Sequence, residues 1–454
     1  MFGKSSSAEY IHDPELIVGL DIGTSKVSVI VAEKEDGYNK PQIIAVDAIP
    51  TEGMRKGAIV NADLVSKAIK NVISSAENIV GQPLKKTSVA FSCGEAMTCV
   101  ITSGKQILGV NARPVTEEDI ERVMQLAKED LAVPSNKSVI HTIPIKYQLD
   151  DTELENPLTM TGRILTVELE SVMVSSSIVQ NVISCVRHAG IEVENLILKP
   201  LASSLSVITR EEAQGGAIVL DIGAGTTSIT VYSEGHPVYL GMVPIGGDHI
   251  TNDLATILKI PLNNADELKQ AVALCELEDD SDETVQFIYN GRPYSVLYND
   301  ITEIISCRLE ELCEDFVIPK ITDSGIKSFP GGIILTGGCS KTAGIDILIR
   351  DMFDLPVRIA VPSVALAMPY GRNTQEYSAV AGIIEYVTEK HNNRYRYIDE
   401  VPKTEEVQFT NKTSHSVESK HQSLNNKKER RKVDITSKLN GLLDKVKESF
   451  DDIF

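Results

Sequence analysis

The chain has no excess of positive charge to offer a nucleic acid: 44 Lys and Arg stand against 64 Asp and Glu, a formal net charge of −20 over 454 residues. A general nucleic-acid binder presents a net basic face, so that class is set aside and only local basic patches stay open. No apolar run is long enough to cross a bilayer, and the opening residues Met1 to Ser7 lack the apolar core of a signal peptide. A protein made and kept in the cytoplasm is therefore expected. The seven cysteines are odd in number and contain no C-x-x-C pair, and neither Cys93 with Cys99 nor Cys307 with Cys313 has zinc-ligand spacing supported by histidine. Buried free thiols are expected instead.

What is present is size, with 42% hydrophobic residues, enough for at least two packed domains. Within that length one pattern occurs twice, as Asp21-Ile22-Gly23-Thr24 and as Asp221-Ile222-Gly223-Ala224-Gly225-Thr226-Thr227. Each copy follows an apolar run (Leu16 to Leu20, Ala217 to Leu220) and leads into another (Val27 to Val31, Ile229 to Tyr232), so both read as tips of β-hairpins. Gly23, Gly223 and Gly225 let the backbone turn tightly and bring its N–H groups within reach of phosphate oxygens, and Thr24, Ser25, Thr226 and Thr227 add hydroxyl donors. Asp21 and Asp221 would repel bare phosphate. Their placement calls for a hard divalent cation with its waters between carboxylates and phosphates, a description that magnesium fits. One copy alone reads equally well as an ordinary turn, because Asp and Gly are common turn residues; two copies in matching contexts point to a nucleotide.

Around these loops, residues 16–82 read as strand hairpins followed by a helix that starts at Asn61-Ala62-Asp63 and carries Leu64, Ile69, Val72 and Ile73 on its apolar stripe. Residues 83–163 break the pattern with short strands and a helix opened by the capping box Thr116-Glu117-Glu118-Asp119, and read as an inserted small domain. Strands and a helix resume from Thr166 to Leu198, and Pro200-Leu201-Ala202-Ser203-Ser204 opens a linking helix. Downstream, the apolar run from Ile333 enters the pair Gly337-Gly338 before Cys339 and Ser340, where bare backbone can pack against a base and ribose. Asp266 and Lys269, three apart, share one helix face. Taken singly, these last two are also an ordinary strand-to-helix turn and a solvated ion pair.

In this order the segments resemble the actin, Hsp70 and sugar-kinase superfamily. The likeness rests on a first phosphate loop from Asp21 to Lys26, a connecting helix at Pro200 to Ser204, a second phosphate loop from Asp221 to Thr227, an adenosine loop from Thr336 to Ser340 and a second connector at Ser378-Ala379-Val380-Ala381-Gly382. It implies an α/β, actin-like, two-lobed ATPase fold that binds ATP and Mg2+. The implied nucleotide contacts are Gly23, Thr24, Ser25, Lys26, Gly223, Ala224, Gly225, Thr226 and Thr227 at the phosphates, with Gly337, Gly338 and Ser340 at the adenosine. Asp266 and Lys269 would serve the ribose and adenine side, while Asp21 and Asp221 would hold the metal through water. Within the superfamily the chain is similar to the FtsA family of bacterial cell-division proteins. That likeness is carried by the insert, by Asn156-Pro157-Leu158-Thr159-Met160-Thr161-Gly162-Arg163, and by the tail. The implied layout is an extension at 1–14, a first lobe from 15–82, 164–200 and 376–388, the insert at 83–163, and a second lobe at 201–375 with a smaller subdomain at roughly 246–315.

The tail has its own reading. Residues 389–434 have the polar composition of a disordered linker, and residues 435–454 then place Leu439, Leu442, Leu443, Val446, Phe450, Ile453 and Phe454 at helical spacings on one face. Lys438 and Lys445 flank that stripe and the basic cluster Lys427 to Lys432 precedes it, which reads as a helix lying on anionic lipid. The other reading is a helix that docks on a partner or on its own copy. Asp444, Glu448, Asp451 and Asp452 weaken the electrostatic attraction, so lipid binding should be modest per helix and depend on several copies acting together.

The family likeness further implies self-assembly into filaments on the inner face of the cell membrane at the septum. It also implies tethering of the FtsZ C-terminal peptide and recruitment of later division proteins by the insert. For the peptide, Gly291-Arg292-Pro293 and the helix bearing Glu303 and Arg308 are the candidate surface; alternatively Arg292 sits in a plain hairpin turn and Arg308 pairs with Glu310 or Glu311. Hsp70 and MreB-type actins carry Glu-Pro at the first connector, where Lys199 precedes Pro200 here; a charged lysine accepts no proton from water, so slow or no ATP turnover is expected. A phosphotransferase would need a substrate base that the chain does not display, and a chaperone would need a β-rich peptide domain after the ATPase lobes. An actin-like filament or scaffold protein of another system, cell shape or pilus assembly, is the nearer alternative.

Overall fold

The computed structural model describes residues 15–34, 41–93, 97–274, 283–363, 368 and 374–391. The described chain divides into two compact units, one of residues 15–249 with 309–391 and one of residues 250–308.

The larger unit is built on two five-stranded sheets of one topology. From edge to edge the first runs Glu192–Leu198, Lys86–Phe91, Glu15–Ile22, Lys26–Lys34 and Gln42–Pro50. The second runs Val357–Ile359, Ile333–Thr336, Ala217–Ile222, Thr227–Ser233 and His236–Val243. In each, the central strand pairs antiparallel with the next strand in sequence and parallel with a later one, so Asp21 faces Ser28 and Ala90 while Asp221 faces Ser228 and Thr336. Both central strands are covered on both faces, which is why Leu20, Ile22, Val219, Leu220 and Ile222 form near-continuous apolar runs rather than alternating ones. The expected hairpin tips are present at both phosphate-loop sequences.

Helix Ala62–Val80 packs on the first sheet, capped by the Asn61 side chain, which accepts from the Leu64 N–H, and ended by Gly81 at φ 80°. Its buried stripe is Val65, Ala68, Ile69, Val72, Ile73 and Ala76. Leu64, placed on that stripe by its hydrophobicity, is instead 40% exposed, because one step of about 100° along a helix carries it off the face that Val65 and Ala68 define.

Two short connectors close the unit. Helix Lys199–Leu205, with Pro200 in its first turn, is anchored by Thr230 Oγ1 donating to the Pro200 carbonyl at 2.8 Å and by the Ser204 and Tyr232 hydroxyls at 2.9 Å. Helix Ser378–His391 crosses it, and a Cβ at Gly382 would collide with the Ala202 carbonyl, so glycine is what permits the crossing.

The insert is a four-stranded antiparallel sheet ordered Thr152–Leu154, Lys137–Leu149, Ile164–Ser175, Thr98–Ile107, with helix Glu117–Glu129 on one face. Val123, Met124, Ala127, Tyr147, Leu165, Val167 and Leu169 form its own core. The capping box at Thr116 forms as expected, and Asp119 also accepts from both terminal nitrogens of the Arg113 guanidinium at 2.7 Å, which holds its carboxyl well below the ordinary range.

The smaller unit contains helix Leu262–Ala271 and the hairpin Thr284–Tyr289 with Arg292–Leu297, whose turn residues Asn290 and Gly291 both take positive φ, as a two-residue primed turn requires. Among the described residues no helix is long and apolar enough to cross a membrane. Of the described cysteines, Cys93, Cys185, Cys313 and Cys339 are buried thiols outside any disulfide, but Cys99 is exposed and Cys307 half-buried. Cys99 lies on the edge strand of the insert sheet, where the alternate residues Cys99, Ile101 and Ser103 are all exposed.

Candidate functional site

The two phosphate-loop sequences close in the same way. Gly23 N–H donates to the Lys26 carbonyl at 3.0 Å, and Gly223 N–H donates to the Thr226 carbonyl at 2.9 Å. They also meet: a Cβ on Gly225 would lie 2.6 Å from Thr24 Oγ1 and 2.7 Å from its Cγ2, so the second loop can rest against the first only with glycine there. The first loop is braced from outside, with Gly57 N–H donating to Thr24 Oγ1 at 3.2 Å and Thr51 N–H to the Ser25 carbonyl at 3.0 Å. The second is braced by the start of helix Gly247–Ile257, whose Gly247 and Asp248 N–H groups donate to the Gly223 and Ala224 carbonyls at 2.9 and 2.8 Å. Thr227 is fully buried and donates its hydroxyl proton to the Ile245 carbonyl at 2.8 Å, so that proton serves the fold.

At the base of the loops lie two carboxylates and one ammonium. Asp21 and Asp221 are each 3% exposed, and Lys199 Nζ stands 3.3 Å from Asp21 Oδ2. Burial alone would drive the Lys199 ammonium to lose its proton, but the charges of Asp21 and Asp221 outweigh burial and hold its pKa above the ordinary lysine value. Burial, with the Asp21 charge added, pushes the Asp221 carboxyl up, while Lys199 and a bond from Ser203 pull it the other way. Asp21 Oδ1 and Asp221 Oδ2 are buried with no hydrogen-bond partner, a costly state for a carboxylate oxygen and one that a hydrated cation would relieve. Among the described residues no three His, Cys, Asp or Glu side chains converge as a direct ligand set. The two aspartates therefore suit an ion held through its waters rather than one stripped of them.

The adenosine segment reaches the same place. Gly337, at φ 87°, is tied by its N–H to the Gln375 carbonyl at 3.2 Å, and the Thr336 hydroxyl donates to that carbonyl at 3.2 Å. A Cβ on Gly337 would strike Asp221 Oδ1 and sit 2.7 Å from the Ile222 carbonyl. Ser340 donates its hydroxyl to the Gly337 carbonyl at 2.7 Å, and nothing stands within 4 Å of where a Gly338 side chain would begin.

Lys26 is half-buried. Its ammonium lies 3.8 Å from the centroid of the Tyr377 ring and 3.5 Å from Glu376 Oε1, which also places Glu376 between Lys26 and Lys341, 3.1 Å away. Burial lowers the Lys26 pKa to about 8 against the raising effect of Glu376 and Asp21. Glu376, Tyr377 and Lys341 were not singled out from the sequence; the signals near them were the glycine pair just before Lys341 and the connector beginning at Ser378, and nothing local marks a Glu-Tyr pair as the partner of a loop 350 residues earlier.

Other candidates belong to the smaller unit. Asp266 and Lys269 belong to the smaller unit, paired at 2.6 Å, with Lys269 donating to Thr251 Oγ1 at 2.7 Å and Gln270 to Asp266 Oδ2 at 2.7 Å. Arg292 is exposed beside the hairpin turn and Glu303 is exposed on helix Tyr298–Glu311. Arg308 pairs with Asp253, both of whose oxygens meet the guanidinium fork at 2.5 and 2.9 Å in a two-pronged fit. The tail candidates Lys438, Leu439, Leu442, Leu443, Lys445, Val446, Phe450, Ile453 and Phe454 lie outside the described residues.

Residues 218–382 match the family model described as cell division protein FtsA, and residues 98–173 match the model described as the SHS2 domain inserted in FtsA. The chain is 33% identical over 390 residues to cell division protein FtsA of Pseudomonas aeruginosa, covering 84% of this chain and 92% of the relative. It is 32% identical over 380 residues to the protein of that name from Borreliella burgdorferi (83% and 91% covered) and 31% identical over 380 residues to that from Bacillus subtilis (83% and 84%). Among solved structures, a chain of the PilM-PilN type IV pilus biogenesis complex superposes with a TM-score of 0.57 at 19% identity, over 82% of this chain and 98% of that one, a likeness of fold alone. The paired sheets, the loops that meet at Gly225 and the inserted four-stranded sheet together make an actin-like α/β fold carrying an SHS2 insert. With relatives more than 30% identical over most of its length, the chain belongs to the FtsA family of cell division proteins.

Proposed function

We propose that this chain is an ATP-binding adaptor that assembles on the cytoplasmic face of the cell membrane and tethers FtsZ filaments there during division, with the insert recruiting later division proteins. The observation that carries the nucleotide part is the meeting of two like-built Asp-Gly loops at Gly225 and Thr24, above two buried carboxylates that each keep an unpartnered oxygen. Backbone N–H groups along residues 24–26 and 224–226 would take the phosphates, and Gly337 with Gly338 would give the adenosine bare backbone to lie on. Asp21 Oδ1 and Asp221 Oδ2 would hold a magnesium ion through its waters, and that ion supplies neutralisation of phosphate charge when bound. Lys199 stands where the connector would need a proton acceptor to activate water, and it is charged. Bound ATP then serves mainly to stabilise a filament-competent conformation rather than as fuel.

Family membership, the amphipathic residues 435–454 and the exposed Arg292 and Glu303 support the membrane and FtsZ parts of this reading. Identity above 30% to FtsA relatives favours division over pilus assembly, whose PilM-PilN complex shares fold at 19%. Titration of ATP into the protein in magnesium tests the nucleotide site. Saturable binding is expected, weakened at least about tenfold by Gly225→Val, since a branched side chain must push Thr24 and the first loop away. Equal affinity in wild type and variant would move the nucleotide out of these loops.

A further inference from the structure

Lys199 is the residue before Pro200, and the connector delivers its side chain to the foot of both phosphate loops. Its Nζ lies 3.3 Å from Asp21 Oδ2 and 3.7 Å from where a Cβ on Gly23 would stand. The neighbouring ammonium of Lys26 lies against Tyr377 and Glu376 rather than against an aspartate. The remaining oxygens, Asp21 Oδ1 and Asp221 Oδ2, are buried without partners. The ground on which a phosphate chain would sit is thus two carboxylates and one fixed ammonium. A glutamate at position 199 would make it three carboxylates with no cation, and the like-charge repulsion toward a polyphosphate would have to be met wholly by a bound metal ion.

We infer that Lys199 is a resident counter-cation of the nucleotide site, so that ATP binds to this chain with only a weak requirement for a divalent ion. The inference rests on the ATP reading above and deepens it. An ammonium on a four-carbon stem held by an aspartate does part of what a hydrated magnesium ion does there: it offsets the aspartates and presents N–H donors toward the phosphates. It adds the charge permanently, whatever the metal concentration.

The test is equilibrium titration of a fluorescent ATP analogue into the full chain, once in excess magnesium chloride and once in excess EDTA, for wild type, Lys199→Arg and Lys199→Met. Removing the metal should weaken binding less than about tenfold in wild type and in Lys199→Arg, but more than about a hundredfold in Lys199→Met. Magnesium chloride alone, without nucleotide, should raise the melting temperature of Lys199→Met, whose two aspartates are left uncompensated, and leave wild type unmoved. A wild type that loses a hundredfold in EDTA overturns the inference whether or not the variants fold, and so does an equal loss in wild type and Lys199→Met. Absence of binding to wild type in magnesium overturns the ATP reading itself, and this inference with it.

Discussion

At Gly337 the backbone runs through φ 87°, and one added carbon would strike the Asp221 carboxylate, so the adenosine segment and the second phosphate loop are held together by the lack of a side chain. Gly337→Ala is expected to cost about 1–3 kcal/mol in a urea melt and to weaken ATP binding about tenfold or more, because strain and displacement of Asp221 act together. Lys26 makes a second case. Its pKa of about 8 in the folded chain lies below the 10.5 of a free lysine, so between those values the unfolded chain holds the proton that the folded chain has released, and the Lys26 contribution to stability rises with pH through that window. ATP affinity should move the opposite way, falling by up to about tenfold per unit above pH 8 as the positive charge is lost. Lys26→Arg, charged throughout, should keep its affinity at pH 9; titrations at pH 7 and pH 9 decide, and a flat wild-type profile would take Lys26 off the phosphates. At this scale Asp21, Asp221 and the loop glycines were legible, because each sits in a motif of a few consecutive residues. Lys199 was read only as a missing acid. Its pairing with Asp21 spans 178 positions, and nothing in the local order of residues encodes it.

Elements were legible where a terminus carries its own chemistry. Asn61 and Thr116 cap the helices that they announce, and Gly291 turns the hairpin of the smaller unit, since each of these signals acts within four residues. Leu64 failed because hydrophobicity without phase does not say which way a helix faces. Burial of a charge was not legible at all, and Glu170 is the instance. It lies on strand Ile164–Ser175 of the insert, 3% exposed with Oε2 unpartnered, and burial raises its pKa to about 7 against a bond from Cys99. The folded chain therefore binds a proton that the unfolded chain has given up above pH 4.5, and stability is lost as pH climbs from 4.5 through 7. Glu170→Gln is expected to raise stability by about 1–3 kcal/mol at pH 8 and to change it little at pH 4.5. Thermal melts at the two pH values check this, and an equal effect at both would mean that the carboxyl ionises normally.

Over the whole molecule, the order of five motifs was enough to name the fold, because two sheets of identical topology place their Asp-bearing central strands alike and leave that likeness in the sequence. The compact unit at residues 250–308 falls within the smaller subdomain that the family likeness implied at roughly 246–315, and its edges follow which segments contact one another rather than any change of composition. The membrane and FtsZ parts of the account also belong to this scale, and they rest on residues 435–454 acting as an anchor for the rest. The most direct test is co-sedimentation with anionic liposomes and ATP, comparing the full chain with one ending at Lys432, each with and without FtsZ. The account predicts that the full chain pellets with the lipid and carries FtsZ down, while the shortened chain stays in solution. Lipid binding that ignores the tail, or FtsZ left in the supernatant, would contradict it.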